Sequence, residues 1–415
     1  MLIHHSRATR GAYPQSLRAI LNIETADESR AWLNAWPLMT PGATPCWALP
    51  DLAEKLGVAA LFVKDEAKRS SLESFKALGA PIALVRLVMR VNPCAGYTAE
   101  GLLRGEHAAA LKEFTVVSAT DGNHGRALAA GARSLGCRCA IIIHRHVSEE
   151  RRLAIEQYGA EVIRIDGSYD DSVREAARLA EARGWHVVSD TSYEGYETIP
   201  RDVMQGYGAI AAESIHAMSV ATNPGSPCTH VFIQGGVGGL AAGVVSYMSE
   251  YFGAQRPIFV IVEPEQADCL YQSALQGMAT SASGSVDSIM AGLACGDTSP
   301  LAWRFIEDTV DFFMTIEDAD AVDAMRQLAE GSARDIPIVS GESGAAGLAG
   351  LNQVARNSTW RESIQLDAAS RVLLINTEGA TAPALYAELV GRRAEAVLES
   401  QESWLEQRAS HAGSR

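Results

Sequence analysis

Short apolar runs alternate with helical patterns through the middle of the chain. Four runs of five or six residues have the length of buried strands, and the segments between them repeat apolar residues at helical spacing. The runs are 115–120, 139–144, 161–166 and 186–190, and the helical patterns are 124–135, 148–158 and 169–183. This alternation predicts βαβ units, in which parallel strands form a sheet with helices on both faces.

A second set of apolar runs follows in the C-terminal half and predicts a second sheet. These runs are 230–234, 258–263, 311–315 and 371–378, and a further short run lies at 60–64. We therefore predict an α/β fold with two open parallel-sheet domains. The small α/β domain is predicted at 80–200, and the large domain combines 1–79 with 201–415.

Two segments between these elements have the composition of loops. The segments 220–229 and 279–296 are rich in Ser, Gly, Ala, Thr or Pro, and the second is predicted to lie over or beside a site. Beyond residue 395 the chain is polar and helical in pattern, and it ends in a tail at 410–415 that we expect to fray.

The composition narrows the classes of function. The chain has 415 residues, of which 47% are hydrophobic, enough for two domains with a sizeable core. Its formal charge is 35 minus 50, or −15, which argues against nucleic acid or an anionic membrane as the main partner. No apolar stretch approaches the length of a membrane span, and the first residues lack the apolar core of a signal peptide.

The seven cysteines are scattered and odd in number. Only Cys137 and Cys139 lie close together, at the start of a predicted buried strand, and no second pair accompanies them. We interpret them as small core residues with free thiols and predict no metal site. A reduced, cytoplasmic, soluble protein is expected.

Three short segments carry the candidate chemistry. The run LESFKALGA places Lys76 between an aromatic residue and a small-residue turn, at the head of a predicted helix. A buried lysine that gives up its charge easily can form a Schiff base. The loops SATDGNHGRA (118–127) and GGVGGLAAG (235–243) add polar groups and a phosphate cradle. Together they indicate pyridoxal 5′-phosphate as the cofactor.

The glycine-rich loop follows an apolar run and begins a helical pattern, so its backbone amides and the helix N-terminus can hold a phosphate. The residues predicted to do so are Gly235, Gly236, Val237, Gly238 and Gly239. The same letters fit G-x-G-x-x-A, with Glu263 at the end of the next strand, which is the fingerprint of a dinucleotide site. A nicotinamide-dependent oxidoreductase is therefore an alternative, although this fingerprint usually opens its domain.

The polar loop offers groups for a substrate carboxylate and for the cofactor. Ser118, Thr120 and the amides near Gly122 can bind the carboxylate, and Asn123 can donate to the phenolic oxygen of the cofactor. Asp121 would repel that carboxylate, so proton abstraction is its natural task. The alternative for Asp121 is a helix N-cap, where aspartate is favoured. Neighbouring His124 is interpreted as structural.

Two further residues stand where open α/β folds place ligands, at the ends of strands. Asp190 ends the run 186–190, with a solvated turn as its plain alternative. The hydroxyl of Thr377, near the end of the run 371–378, can face the pyridine nitrogen of the cofactor. A neutral hydroxyl partner leaves that nitrogen largely unprotonated, which suits elimination.

The motifs together resemble those of the fold-type-II pyridoxal-phosphate enzymes, the group of threonine synthase and the serine and threonine dehydratases. Within this group the chain is most similar to the diaminopropionate ammonia-lyases, from about residue 44 to 386. The motifs are VKDEAKRSSLESFKALG, ATDGNHGR, SDTSYEGYETIPRDVMQGY, VEPEQADCLYQS, IMAGLACG, SGESGAAGL and NTEGAT. IMAGLACG and ATDGNHGR are the more specific, whereas the glycine loop is common to the wider group.

The resemblance implies αβ-elimination of ammonia from D- or L-2,3-diaminopropionate, giving pyruvate and a second ammonia. Lys76 would carry the cofactor and take the α-proton of the L-enantiomer, and Asp121 that of the D-enantiomer. Asp190 would bind the distal ammonium of the substrate, and Asn123 the cofactor ring. A homodimer is the common default.

The chain departs from the family pattern at three places. Ala380 stands where an acidic residue is usual, the phosphate loop has GGVGGL instead of AGVGAM, and Ser70–Ser71 replaces an aromatic–glycine step. These changes leave the cofactor residues intact but fall where they can line the substrate pocket. A serine- or threonine-type dehydratase on the same fold therefore stays an alternative.

Overall fold

The structure is a computed structural model, and it describes residues 1–120, 122–145, 147–167, 169–221 and 228–412. Asp121 and most of the predicted loop 220–229 lie outside the described residues, as does the end of the predicted tail.

The strands of the described residues form two separate sheets. The strands are β1 (Leu2–His4), β2 (Cys46–Ala48), β3 (Ala60–Asp65), β4 (Thr115–Ala119), β5 (Arg138–His144), β6 (Glu161–Ile165), β7 (His186–Val187), β8 (His230–Gln234), β9 (Ile258–Pro264), β10 (Phe312–Ile316) and β11 (Arg371–Asn376). One sheet has the order β1-β10-β9-β8-β11-β3-β2, and the other has the order β6-β5-β4-β7. The two predicted sheets are thus present.

Helices connect these strands and cover the sheets. They are α1 (Gln15–Arg18), α2 (Ile23–Leu33), α3 (Pro50–Leu56), α4 (Ala80–Val91), α5 (Ala99–Leu103), α6 (Ala108–Leu111), α7 (Asn123–Leu135), α8 (Glu149–Glu156), α9 (Tyr169–Arg183), α10 (Thr198–Ala221), α11 (Gly239–Phe252), α12 (Cys269–Gln276), α13 (Pro300–Ile306), α14 (Asp318–Glu330), α15 (Ala346–Arg356), α16 (Ser358–Ser363), α17 (Pro383–Val390) and α18 (Ala394–Ala412). Short 3₁₀ turns lie at Glu66–Lys68, Phe75–Leu78, Gly253–Gln255 and Ala291–Leu293.

The strands that build the interior of both sheets are parallel, as the βαβ pattern predicts. In the larger sheet β8 pairs in parallel with both β9 and β11, and β11 pairs in parallel with β3. The two edge strands differ from the prediction, because β1 pairs antiparallel with β10 and β2 pairs antiparallel with β3. Both edge strands have three residues and come from the N-terminal segment, outside the alternation of apolar runs and helical patterns that predicts parallel pairing.

Continuous apolar runs explain the central strands. Every residue of β8 and β10 is buried, which fits strands covered by helices on both faces. One apolar cluster joins α4, α7, α10 and α11 between the two sheets, and a second lies under α14 and α15 on the other face of the larger sheet.

The four-stranded sheet draws all of its strands from within 80–200, and the larger sheet draws its strands from outside that range. The domain boundaries themselves stay a prediction. Because parallel strands end at the same edge of a sheet, the residues after β4, β7, β8 and β11 are brought to the region between the sheets.

Candidate active site

Lys76 lies in the 3₁₀ turn Phe75–Leu78, which precedes α4, and not at the head of that helix as the sequence predicts. The Ser74 hydroxyl accepts the Lys76 backbone N–H at 3.3 Å. The Phe75 N–H donates to the carbonyl of Thr377 at 3.0 Å. Thr377 directly follows β11, so a central strand of the larger sheet fixes the turn that presents the lysine.

The amine of Lys76 meets the carboxylate of Asp190, with 2.5 Å between Nζ and Oδ2. Burial alone would lower the pKa of Lys76, but the nearby carboxylate of Asp190 outweighs it and raises that pKa. Burial would raise the pKa of Asp190, but His124 and Lys76 outweigh it and the pKa lies well below its usual range. The two groups therefore form an ammonium–carboxylate pair at neutral pH.

Asp190 follows β7, which ends at Val187, three residues earlier than the predicted run. His124 packs beside it, with Nδ1 3.7 Å from Asp190 Oδ2. The other ring nitrogen, Nε2, is 2.9 Å from the carbonyl of Val188, and since a carbonyl can only accept, Nε2 is the protonated nitrogen. His124 is 3% exposed, so a residue that the sequence marks as structural stands directly against the candidate substrate ligand.

The glycine loop connects β8 to α11 as predicted. Gly236 and Gly238 have φ of 61° and 99°, in the left-handed region that favours glycine. The Gly235 N–H donates to Val262 at 2.9 Å, and the Ser299 N–H donates to Val237 at 3.0 Å. These contacts hold the loop at the N-terminus of a 14-residue helix, which is a favourable place for a phosphate.

Glu263, the acid of the alternative dinucleotide fingerprint, is engaged below this loop. It is fully buried, and its carboxyl accepts the N–H groups of Leu270 at 3.0 Å and Tyr271 at 2.7 Å. A Cβ on Gly235 would lie 2.5 Å from its side chain. Burial raises the pKa of Glu263 to about 8. Glu263 thus supports α12 and the glycine loop from inside, which leaves no free carboxylate there for a ribose.

The polar loop after β4 contributes Ser118, Thr120 and Asn123. Ser118 is 1% exposed, and its hydroxyl has no hydrogen-bond partner among the described residues. The hydroxyl of Thr120 accepts the Gly122 N–H at 3.5 Å. Asn123 is the first residue of α7, and its amide donates to the carboxyl of Glu378. Asp121 lies outside the described residues.

A pair of buried acids next to this loop is absent from the sequence prediction. Glu378 accepts from Asn123 and from the Ser343 N–H at 3.2 Å. Glu342, 4% exposed, lies close enough that burial and the charge of Glu378 raise its pKa to about 7. Burial also raises the pKa of Glu378. The sequence does carry a partial signal, because Glu342 lies in the motif SGESGAAGL and Glu378 lies in the motif NTEGAT. Their proximity depends on tertiary contact and is not visible in either motif.

Tyr207 is the second residue that the prediction misses. It is 1% exposed, and its ring packs on Phe75 at 4.8 Å between centroids and faces Lys76 Nζ at 5.9 Å. Its hydroxyl has no hydrogen-bond partner among the described residues. The available signal was Gly206 and Gly208 on either side of it, because glycine inside a helix costs about 1 kcal/mol and indicates close packing.

The predicted loop 279–296 does lie beside the site. A Cβ on Gly236 would lie 3.4 Å from the Gly292 carbonyl and 3.7 Å from Cys295 Sγ. Burial raises the pKa of the Cys295 thiol to about 12, so it stays protonated at neutral pH. This segment therefore covers the glycine loop with a carbonyl and a neutral thiol.

The described part of the chain has no group of three or more His, Cys, Asp or Glu residues arranged to hold a metal ion. Within the same residues, no helix is both long and apolar enough to cross a membrane. The candidate site accordingly consists of the lysine–aspartate pair, the polar loop and the glycine loop.

The family model described as "Pyridoxal-phosphate dependent enzyme" matches residues 38–378. The chain is 39% identical over 353 residues to the diaminopropionate ammonia-lyase of Escherichia coli (strain K12), covering 84% of this chain and 87% of that protein. It is 38% identical over 355 residues to that of Salmonella typhimurium, with the same coverage. The holo crystal structure of the Escherichia coli enzyme superposes with a TM-score of 0.84 and 35% identity over 94% of this chain and 96% of that one.

The chain belongs to the pyridoxal-phosphate dependent enzymes, and its fold is that of fold type II. Within this family it is similar to the diaminopropionate ammonia-lyases over most of its length. Maize serine racemase, at 21% identity and a TM-score of 0.68, shares the fold.

Proposed function

We propose that this chain catalyses the αβ-elimination of ammonia from 2,3-diaminopropionate, releasing pyruvate and two molecules of ammonia with the uptake of one water. The observation that carries the proposal is the Lys76–Asp190 pair, an amine suited to hold the cofactor beside a carboxylate suited to hold a second amine. The relatives named diaminopropionate ammonia-lyase support the same substrate. A crystal structure of the Escherichia coli enzyme with an aminoacrylate-PLP azomethine reaction intermediate superposes at a TM-score of 0.83.

The residues present fit pyridoxal phosphate. The glycine loop offers backbone N–H groups at a helix N-terminus, and a buried hydroxyl on Ser118 lacks a partner among the described residues. Lys76 would hold the cofactor, Gly235–Gly239 its phosphate, Asn123 its phenolic oxygen and Thr377 its ring nitrogen. When bound, the cofactor supplies an electron sink that makes the α-proton of the substrate acidic.

The chain's own groups would then position the substrate and move its protons. Ser118, Thr120 and neighbouring amides bind the α-carboxylate. Lys76 Nζ, once free, accepts the α-proton of the L-enantiomer, and Asp121 accepts that of the D-enantiomer from the other face. Asp190, no longer paired with Lys76, binds the distal ammonium and holds the leaving group as its bond to the β-carbon breaks.

The lysine role is tested on the purified protein. We expect a visible absorption band from lysine-bound pyridoxal phosphate, and borohydride should bleach it and add the cofactor mass to the peptide containing Lys76. Lys76→Ala should lose the band and pyruvate release from every amino acid. The control is Lys112→Ala, which replaces an exposed lysine. Lys64 is unsuitable for this purpose because it forms an ion pair with Glu213 in the core. Turnover of Lys76→Ala at the wild-type rate contradicts the assignment.

The substrate is tested by pyruvate release from D- and L-diaminopropionate, serine, threonine and β-chloroalanine measured side by side. The kcat/KM for diaminopropionate should exceed that for serine by about 10²-fold or more. Serine has a hydroxyl where diaminopropionate has an ammonium, so with serine the desolvated carboxylate of Asp190 has no ion pair. If serine or threonine is the better substrate, the chain is a dehydratase and the cofactor assignment stands.

We also propose a cytoplasmic homodimer. Among the described residues, free thiols stand at Cys46, Cys94, Cys137, Cys139, Cys269 and Cys295, as expected in a reducing compartment. Closed twofold assemblies are the commonest among soluble oligomers. Light scattering coupled to size-exclusion chromatography should give twice the 44.3 kDa chain mass. A monomer mass at micromolar protein contradicts the dimer.

A further inference from the structure

The pocket around Lys76 Nζ is built for a cation on more than one side. Asp190 supplies the carboxylate at 2.5 Å. The rings of Phe75 and Tyr207 lie with their centroids 5.1 Å and 5.9 Å from Nζ, within the range in which an aromatic face attracts a cation. In this structure the lysine ammonium itself is the cation that these groups surround.

Three glycines make the space that Tyr207 fills. A Cβ on Gly79 would lie 2.7 Å from its ring, and a Cβ on Gly243 would lie 2.8 Å from its Cβ. A Cβ on Gly239, at the start of α11, would lie 3.9 Å from the ring of Tyr207 and 3.7 Å from the carbonyl of Asp190. Tyr207 is thus wedged between the turn that carries Lys76 and the helix that follows the glycine loop.

The hydroxyl of Tyr207 is buried and unsatisfied. Its oxygen has no hydrogen-bond partner among the described residues, and an unpaired buried polar group destabilises the folded protein. Lys76 lies near enough to Tyr207 to act against the rise in the pKa of the phenol, but burial outweighs it. Burial raises the pKa of Tyr207, so the phenol is neutral at neutral pH, and its oxygen can accept a hydrogen bond from an ammonium group.

We propose that Tyr207 is a specificity-determining residue, whose hydroxyl and ring, together with Asp190, bind the distal ammonium of the substrate. This proposal rests on the proposed function. When Lys76 is engaged by the cofactor, the substrate ammonium takes the place of the lysine ammonium on Asp190. It then donates a charge-assisted hydrogen bond to the Tyr207 oxygen, which is stronger than the bond that a neutral hydroxyl can donate. A hydroxyl or chloride at that position gains neither the ion pair nor the aromatic face.

The test compares Tyr207→Phe with the wild type on diaminopropionate, serine and β-chloroalanine. The variant keeps the ring and removes the hydroxyl. Because the variant loses a hydrogen bond to a charged group, kcat/KM for diaminopropionate should fall about 10-fold or more. The values for serine and β-chloroalanine should change by less than about 3-fold, because neither carries a distal cation. Cofactor content and the visible band should equal those of the wild type.

The matched control is Tyr386→Phe. Tyr386 is also 1% exposed, and its hydroxyl likewise has no partner within the described part of the chain, but it packs in the cluster on the other face of the larger sheet. The Tyr386→Phe variant should turn over all three substrates at wild-type rates. Tyr207→Leu, which removes the ring as well, should lower the diaminopropionate-to-serine ratio further.

Two results separate the two proposals. A wild-type protein that releases no pyruvate from diaminopropionate refutes the proposed function, whatever the variants do. A wild type active on diaminopropionate, whose Tyr207→Phe variant shows equal losses on all three substrates or no loss at all, refutes the role of Tyr207 alone.

Discussion

Asp190 keeps a negative charge in a partly buried pocket, and this charge needs a cation. In the structure the cation is Lys76, which under the proposed function would be engaged by the cofactor. A buried carboxylate left without its cation is costly, since it keeps the desolvation penalty and loses the ion pair. A substrate that brings its own ammonium therefore has an advantage over one that brings a hydroxyl.

Asp190→Asn should remove most of this advantage. We expect the preference for diaminopropionate over serine to fall by about 10-fold or more, because an amide cannot form the ion pair. The measurement is the ratio of the two kcat/KM values. Asp311→Asn is the control: Asp311 is also ion-paired, with Arg256 at 2.7 Å, but in the edge region of the larger sheet. If Asp190→Asn leaves the ratio unchanged, Asp190 does not contact the distal amine.

Asp121 is proposed as the base for one enantiomer, on the sequence of its loop alone. Asp121→Asn should lower kcat on D-diaminopropionate by about 10²–10⁴-fold, the usual cost of losing a general base. The rate on the L-enantiomer should change far less, because Lys76 acts from the opposite face. Initial rates with each pure enantiomer decide the matter. Equal losses would mean that Asp121 positions the substrate and does not take its proton.

At the scale of the elements, helix α10 holds the turn of Lys76 through close backbone contact. A Cβ on Gly206 would lie 2.1 Å from the carbonyl oxygen of Leu78, which is in the same 3₁₀ turn as Lys76. A Cβ on Gly208 would lie 2.7 Å from Ala26 of α2. The two glycines weaken the helix locally, and in return α10 approaches its neighbours closely enough to fix the catalytic turn.

Gly206→Ala should therefore destabilise the protein although alanine favours the helix by about 1 kcal/mol. We expect a net loss of about 2 kcal/mol or more, since backbone and not a flexible side chain must move. The midpoint temperature of thermal unfolding and the cofactor content should both decrease. The control is Gly131→Ala in α7, where the new Cβ would be 3.4 Å from Pro81, an ordinary contact. Gly131→Ala should be neutral or slightly stabilising, and a Gly206→Ala protein that behaves the same way contradicts the argument.

Elements that are specified locally were predictable from the sequence. The apolar runs 230–234 and 371–378 contain β8 and β11, because the middle of a strand buried on both faces is a nearly continuous apolar run. The glycine loop was predictable for a similar reason, since its positive φ angles require glycine. Tyr207 was not, because its role depends on α10 packing against the Lys76 turn, and no local pattern contains that contact.

At the scale of the whole molecule, the two sheets meet through side chains that the sequence marks separately. Lys76 precedes α4, whereas Asp190 follows β7 of the smaller sheet. Asn123, after β4 of the smaller sheet, donates to Glu378, which follows β11 of the larger one. The sequence motifs identify several of these residues one at a time. Their pairing across the two sheets is a property of the packed molecule, and the Glu342–Glu378 pair exists only because of it.

This acid pair should make stability depend on pH. Burial, together with the neighbouring Glu378, raises the pKa of Glu342 from 4.5 in the unfolded chain to about 7. A raised acid pKa means that the folded protein favours the protonated form. The stability that this form contributes is complete below pH 4.5 and is lost as the pH rises through about 7.

Glu342→Gln mimics the protonated acid at every pH, so it should remove this dependence. We expect the variant and the wild type to unfold at nearly the same temperature at about pH 5 and the variant to unfold on the order of 3 °C higher at about pH 8. Calorimetry at the two pH values makes the comparison, with exposed Glu399→Gln expected to match the wild type at both. A shift of equal size at both pH values would mean that the substitution acts through packing. A lower unfolding temperature at pH 8 would mean that the folded protein requires the charge on Glu342.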